Sequence, residues 1–357
     1  MKKFSALLLF LLVLLLPAAV LPASPGLYSA EVPVTDPSPE ARKASIREAF
    51  EKVLIKASGY RRLKGRKGMK TLLKHAEDYV QQFRYRNEVS DAGDEPGKRL
   101  MWVAFEKSAI KEALQQLGLS VWDKGRPEVL LWLAQEKGGK RALLDPERDV
   151  KVVQAVKNAA QQRGLPLLLP IMDLEDQTAL RVSDVWTVNR DGVEAASARY
   201  GDQLVLLGRL RKSGKQWKAK WTLLLPDRQQ DFSSSAGTEE AALLGGGIDK
   251  VMDWLTVQFV PRSDAGEAGI VMLRFLGVGG LSDYARLMQL LDSLDVISEY
   301  AIEESTGDQL LIRAKVRGGK EILTQRLSLE NTLAPVASIP DDESLTPDSL
   351  ELTYQLR

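Results

Sequence analysis

A chain of 357 residues with 44% apolar side chains is long enough for two or three domains with real cores, and its 27% charged side chains are ordinary for a soluble surface. It carries 49 lysines and arginines against 48 acids, one histidine (His75) and no cysteine. This excludes disulfides, thiol catalysis, and thiolate or multi-histidine metal sites, and it argues against a nucleic-acid binder, which would carry a basic excess.

The first residues are Met1-Lys2-Lys3, then an almost purely apolar run from Phe4 to Leu16, then Pro17-Ala18-Ala19-Val20-Leu21-Pro22-Ala23. A short cationic start, a greasy core and small residues after a helix breaker are the order of a secretory signal, with cleavage expected near Ala23–Ser24. Loss of Lys2 and Lys3 leaves 47 basic against 48 acidic residues. The expected location is the periplasm. The alternative is an uncleaved tether to the inner membrane, because Phe4 to Ala23 is just long enough to span a bilayer. Without cysteine, a lipid-modified anchor is excluded.

Leu27 to Val34 alternates apolar and polar and predicts a strand. Asp36-Pro37-Ser38-Pro39 opens a helix over about 40–57, with its stripe at Ala44, Ile46, Ala49, Phe50, Val53, Leu54 and Ala57, and Gly59 ends it. A basic stretch and a second helix over about 70–82 follow. Residues 83–87 and 100–105 alternate like the strands of a hairpin turned by the polar 91–98. Ser108 is expected to cap a helix through Gln116. Residues 24–125 thus form one small α+β domain, with a boundary at Asp123-Lys124-Gly125-Arg126-Pro127.

Val129 to Ala134 is continuously apolar, as a strand buried on both faces is. A helix over 146–163, a second buried strand over 166–171, helical segments over 178–186 and 193–200, and a hairpin of 203–211 with 216–225 come next. A loop rich in Asp, Gln and Ser leads to a helix over 238–258. This order gives residues 126–260 as an α/β domain with a mixed sheet. After a linker at 261–266, residues 268–357 show the βαββαβ order of a ferredoxin-like domain, with 334–349 irregular. The fold class is therefore mixed α+β and α/β, two or three small modules in series.

No H-E-x-x-H, G-x-S-x-G or Walker pattern occurs. Gly277-Val278-Gly279-Gly280 reads as a strand-to-helix turn, and Gly245-Gly246-Gly247 as a close helix–sheet contact or a kink. Asp173, Glu175 and Asp176 follow the 166–171 strand, where ligands of open α/β sheets gather, and they are the weak candidates for a small-ligand pocket. The competing role is structural: Asp176 caps a helix while Glu175 faces water. Trp217 and Trp221 share one face of a strand and are the tryptophans to consider for carbohydrate contact, core packing being the alternative. Arg61, Arg62, Lys64, Arg66, Lys67 and Lys70 form a basic run suited to peripheral contact with an anionic membrane or cell-wall surface, or to a solvated loop. No cofactor or metal is expected.

Several blocks carry a family resemblance. They are Leu27–Val34 with the helix up to Gly59, Tyr79–Tyr85, Leu119–Trp122, Arg126-Pro127, Val129–Ala134, Arg163–Pro166, Asp173–Asp176, Ser197–Gly201 and Gly208–Leu210. Together, over roughly 27–260, the chain resembles domain-of-unknown-function family 2066. The resemblance implies an exported proteobacterial envelope protein and no catalytic residues; the basic run 61–70 is not part of it. The expected role is a non-enzymatic binding or assembly module with an envelope protein partner. The alternative is an envelope enzyme or small-ligand binder with its pocket near Asp173–Asp176.

Overall fold

The computed structural model describes residues 26–87, 99–123, 125–201, 203–226, 228–236, 239–260, 269–294, 296–328, 330, 332–336 and 351–357. Within them three sheets follow one another along the chain, each packed on its own helices, and the fold is mixed α+β.

The first sheet has the order β1 (Ser29–Pro33), β3 (Arg99–Phe105), β2 (Val80–Asn87), all antiparallel. Helix α1 (Pro39–Ser58) lies across it because its stripe from Ile46 to Ala57 is fully buried against Met101, Val103 and Phe105. Ser38 caps its start, accepting from the Ala41 amide at 3.2 Å. Gly59, at φ 79°, closes its end. The helix expected over 70–82 stops early: α2 (Met69–Lys74) and a 3₁₀ turn (Ala76–Tyr79) give way to β2. The ladder to β3 and the strand-favouring Phe83 and Tyr85 outweigh the helical pattern. The turn expected at 91–98 lies outside the described residues. The N-cap position of helix α3 (Lys107–Gln116) is Glu106 rather than Ser108, and its side chain makes no capping hydrogen bond.

The central sheet runs β5 (Lys140–Leu143), β4 (Val129–Lys137), β7 (Leu204–Ser213), β8 (Gln216–Leu224), β9 (Gln229–Ala236), with β4 and β7 parallel. One face is covered by α4 (Val150–Arg163) and, after β9, by α8 (Glu240–Phe259). The other face is covered by three short helices, α5 (Leu174–Ala179), α6 (Val182–Thr187) and α7 (Arg190–Ser197). Coverage on both faces accounts for the uninterrupted apolar run in β4.

Two segments of the central module pair differently from what their sequence patterns predict. The strand expected over 166–171 pairs only at β6 (Leu167–Leu168), parallel to β4. Pro166 and Pro170 bracket it and lack the N–H a longer ladder needs. Conversely, the polar segment expected as a loop is the edge strand β9, whose backbone pairs with β8 from Trp217↔Ala236 to Leu224↔Gln229.

The last sheet has the order β11 (Ile297–Thr306), β12 (Gln309–Val316), β10 (Gly269–Leu276), β14 (Glu351–Leu356), with α9 (Leu281–Ser293) and α10 (Gly319–Leu327) as its helices. Parallel β10 and β14 flanked by the β11–β12 hairpin are the ferredoxin-like arrangement read from the βαββαβ order. A short extra strand, β13 (Leu333–Pro335), pairs with β14 at the start of the segment expected to be irregular. The linker at 261–266 lies outside the described residues.

Candidate functional site

The first and central sheets are joined through two arginines. Arg126 Nε donates to the Trp122 carbonyl at 2.6 Å, Nη1 to the Gly164 carbonyl at 2.7 Å and Nη2 to the Ala57 carbonyl at 3.3 Å. It therefore ties the carboxyl ends of α1 and α4 together, where exposed carbonyls favour a cation. Arg163, 4% exposed, donates to Asp249 and Asp253 of α8, at 2.6 Å each, and to the Gly59 carbonyl at 2.9 Å. Thr256 Oγ1 donates to the same carbonyl at 3.0 Å. The segment expected as a domain boundary is thus a hydrogen-bonded joint.

Beside this joint runs a cleft. Its two lobes, of about 670 Å³ and about 450 Å³, share Lys56, Gln154, Asn158 and Gln161. One wall is the first sheet, with Ala30, Glu31, Arg86 and Leu100. The other is α4, whose Gln154, Asn158 and Gln161 recur at helical spacing and so present carboxamides along one side. Gln154 Nε2 donates to Asn158 Oδ1 at 2.7 Å. Arg126, Asp123, Gly125, Leu165 and Pro166 close the larger lobe, and Lys157 stands at its rim.

The unusual group is Lys56. It is 4% exposed, near the end of α1, and its ammonium donates to the carbonyls of Gly26 at 2.9 Å and Ser29 at 2.5 Å. Burial, with the like charges of Arg126 and Lys52 added, lowers its pKa to about 8. Near it the ionic groups are otherwise matched: Arg86 holds Glu31 at 2.8 Å and Lys107 holds Asp123 at 2.8 Å. Tyr28 donates to Asp123 at 3.4 Å, and burial followed by that carboxylate pushes its phenol well above the usual range.

Asp173, Glu175 and Asp176 lie elsewhere, on the opposite face of the central sheet. Asp173 caps α5, accepting from the Asp176 amide at 3.0 Å. Arg199 donates to both Asp173 oxygens, at 2.8 and 3.0 Å, and to Asp176 at 3.1 Å. Asp176 is fully buried. It accepts from Tyr200 Oη at 2.6 Å and from the Met172 amide at 2.8 Å. The cap thus falls on Asp173 rather than Asp176. Glu175 keeps 67% of its side chain exposed, 3.6 Å from Arg199. The cluster is brought together, but its acceptors are engaged by its own Arg199 and Tyr200.

Trp217 and Trp221 are brought together too, inside the core under α8, at 4% and 0% exposure. Lys137 and Lys212 lie over the Trp217 ring at 5.4 and 5.3 Å. Gly247 is the close helix–sheet contact: a Cβ there would fall 2.1 Å from Trp221 Cε2. Of the basic run, Arg61 pairs with Asp249 at 3.1 Å, Lys64 with Glu51 at 3.5 Å, and Arg66 donates to the Leu117 carbonyl at 3.3 Å. Arg62, Lys67 and Lys70 are exposed.

The cleft residues Lys56, Gln154, Lys157, Asn158 and Gln161 were not among the sequence candidates. A signal existed for Lys56 alone. It sits three residues after Val53 and seven after Ala49, on the stripe that α1 buries, where a lysine is out of place. No helix among the described residues is long and apolar enough to cross a membrane, and no cluster of acids and histidine there is grouped to hold a metal ion.

No curated protein and no solved structure matches the chain. The resemblance to domain-of-unknown-function family 2066 is corrected by the family comparison: residues 23–123, the first of the three modules, match a different family, Domain of unknown function (DUF8605).

Proposed function

We propose that this protein is a non-enzymatic binding protein of the cell envelope, exported by its N-terminal signal, and that it binds its ligand in the cleft between the first and central sheets. The observation that carries this reading is the lining of the cleft. A row of carboxamides on α4 faces a buried ammonium and residues of all three strands of the first sheet across a space large enough for a small molecule. Carboxamides both donate and accept, so they suit a polar ligand. The joint made by Arg126 and Arg163 holds the two walls in place, which lowers the ordering cost of binding.

The test is thermal unfolding against a panel of polar small molecules, neutral and charged, with Gln161→Trp as a variant that fills the cleft. A ligand that raises the melting temperature of the native protein and not of the variant supports the reading. Equal shifts in both, or no shift with any compound, overturn it. Export is checked by fractionation: the full chain is expected in the periplasm and a chain lacking residues 1–23 in the cytoplasm.

A protein partner is the second reading, favoured by β2. This edge strand leaves seven of its eight residues exposed, Phe83 and Tyr85 side by side among them with ring centroids 5.9 Å apart. An edge that no other strand pairs with among the described residues, carrying aromatic anchors, is suited to strand addition by a partner. Crosslinking in cells from residue 83 is expected to capture an envelope protein, and capture unaffected by Phe83→Lys would sink this reading.

A further inference from the structure

The charge of the cleft floor is unbalanced. Lys56 Nζ has three N–H donors, and the carbonyls of Gly26 and Ser29 take two of them. The carboxylates in the walls are claimed by other cations: Glu31 by Arg86, and Asp123 by Lys107. The charges that act on Lys56 most are those of Arg126 and Lys52, which carry its own sign. A buried ammonium is expensive unless an opposite charge or a full set of acceptors compensates it. Here two neutral acceptors and two like charges surround it at the bottom of an open cleft. The rim adds Lys157 to the same lobe.

We infer that the cleft floor is an anion site, in which the Lys56 ammonium, with Lys157 at the rim, holds a carboxylate or phosphate group of a ligand whose polar remainder lies along Gln154, Asn158 and Gln161. An anion there supplies the missing third acceptor and the missing charge at one stroke. It also turns the repulsion between Lys56 and Arg126 into a shared attraction. The inference rests on the cleft being the ligand site and adds the chemical class of the ligand.

Binding also has a proton signature. The groups facing Lys56 are Lys52 of its own helix, Arg126, Lys157 of α4, Glu31 with Arg86 on the sheet, and Asp123. Burial and the like charges of Arg126 and Lys52 hold the Lys56 ammonium down to about 8. A bound anion favours the charged form, so near pH 8.5 the site takes up a proton as the anion binds.

The experiment is calorimetric titration of the full chain with inorganic phosphate and with succinate, beside a neutral polyol, at pH 7.0 and 8.5 in buffers of different ionisation enthalpy. Phosphate and succinate separate the two sources of negative charge. The expected result is saturable binding of at least one of them, net proton uptake at pH 8.5, and loss of tenfold or more in affinity with Lys56→Met. Lys157→Gln is expected to weaken binding several-fold, and Lys215→Gln, in the distant β7–β8 turn, to leave it unchanged. Should Lys56→Met not fold, Lys157→Glu carries the test, and it must lower anion affinity by tenfold or more. Anion binding that is unchanged in the Lys56 and Lys157 variants overturns the inference. So does binding of the neutral polyol to the cleft without either anion, an outcome that spares the cleft as a ligand site. No binding of any compound removes both.

Discussion

Arg163 Nη1 lies 2.6 Å from Asp249 Oδ1, joining the last turn of α4 to α8, while the same guanidinium donates to the carbonyl of Gly59 just beyond α1. One side chain therefore connects the two helices under the central sheet with the main helix of the first. Arg163→Met removes two ion pairs and leaves the Asp249 carboxylate, 19% exposed, with Arg61 alone. The expected cost is about 2–3 kcal/mol, toward the low end for a broken buried pair because both acids keep some contact with water. Asp253→Asn, at a side chain 49% exposed, is expected to cost under about 1 kcal/mol. Urea unfolding of both variants checks the order, and equal losses would contradict the account.

Neighbouring glycines of α8 should respond in opposite directions. Gly247 faces Trp221, and an added Cβ meets the indole at 2.1–2.4 Å. At Gly246 nothing lies within 4 Å of the same addition. Gly246→Ala is therefore expected to stabilise by about 0.5–1 kcal/mol through helix propensity alone. Gly247→Ala gains the same propensity and loses more to overpacking, for a net destabilisation of about 1–2 kcal/mol. Thermal unfolding of the pair decides it.

Those glycines also show what the sequence made legible. Three glycines inside a helical pattern point to a close helix–sheet contact or a kink, and Gly247 alone makes the contact, against Trp221. The stripe of α1, the double-faced apolar run of β4 and the βαββαβ order of the last module were readable for the same reason: each is a local pattern forced by burial. The pattern failed where pairing partners, not side chains, decide. Gln229–Ala236 has the composition of a loop and becomes a strand because β8 offers it a ladder. Leu167–Leu168 has the composition of a strand and stays two residues long because prolines flank it. The cleft was hidden for a different reason. Lys56, Arg126 and the amides of α4 come from separate segments, and they share a wall only once Arg126 and Arg163 have closed the joint.

The Asp173–Arg199 pair predicts an acid dependence. The hydrogen bonds from Arg199, followed by the Asp176 amide, lower the Asp173 carboxyl to about 2 from an ordinary 3.8. A depressed carboxylate contributes stability that is complete above its unfolded pKa and is lost as pH falls through the folded one. The gap between the native protein and Asp173→Asn should thus be constant above about pH 4 and shrink between pH 4 and 2. Beside it, Tyr200→Phe deprives the buried Asp176 of a 2.6 Å partner, and a cost of about 2 kcal/mol is expected at neutral pH. Denaturant unfolding at pH 6 and pH 2.5 reads both; a gap that stays constant to pH 2 counts against the first.

Lys56 predicts a dependence of the opposite sign at the alkaline end. Its folded pKa of about 8 lies below the ordinary 10.5, so between these values the unfolded chain binds more protons than the native one. Stability then rises with pH across that window, because a penalty fully present below pH 8 relaxes as the ammonium loses its proton. Relative to Lys56→Met, the native protein should gain on the order of 2 kcal/mol from pH 7.5 to 10.5, the other titrating groups cancelling in the comparison. An anion on the cleft floor works against this. It stabilises the charged form, so saturating anion should raise the stability of the native protein most below pH 8 and flatten the rise above it. Urea unfolding of the two proteins at pH 7.5 and 10, with and without anion, measures both slopes. A difference between native protein and variant that does not move with pH would mean the ammonium is compensated in a way that two carbonyls and a neighbouring arginine do not provide.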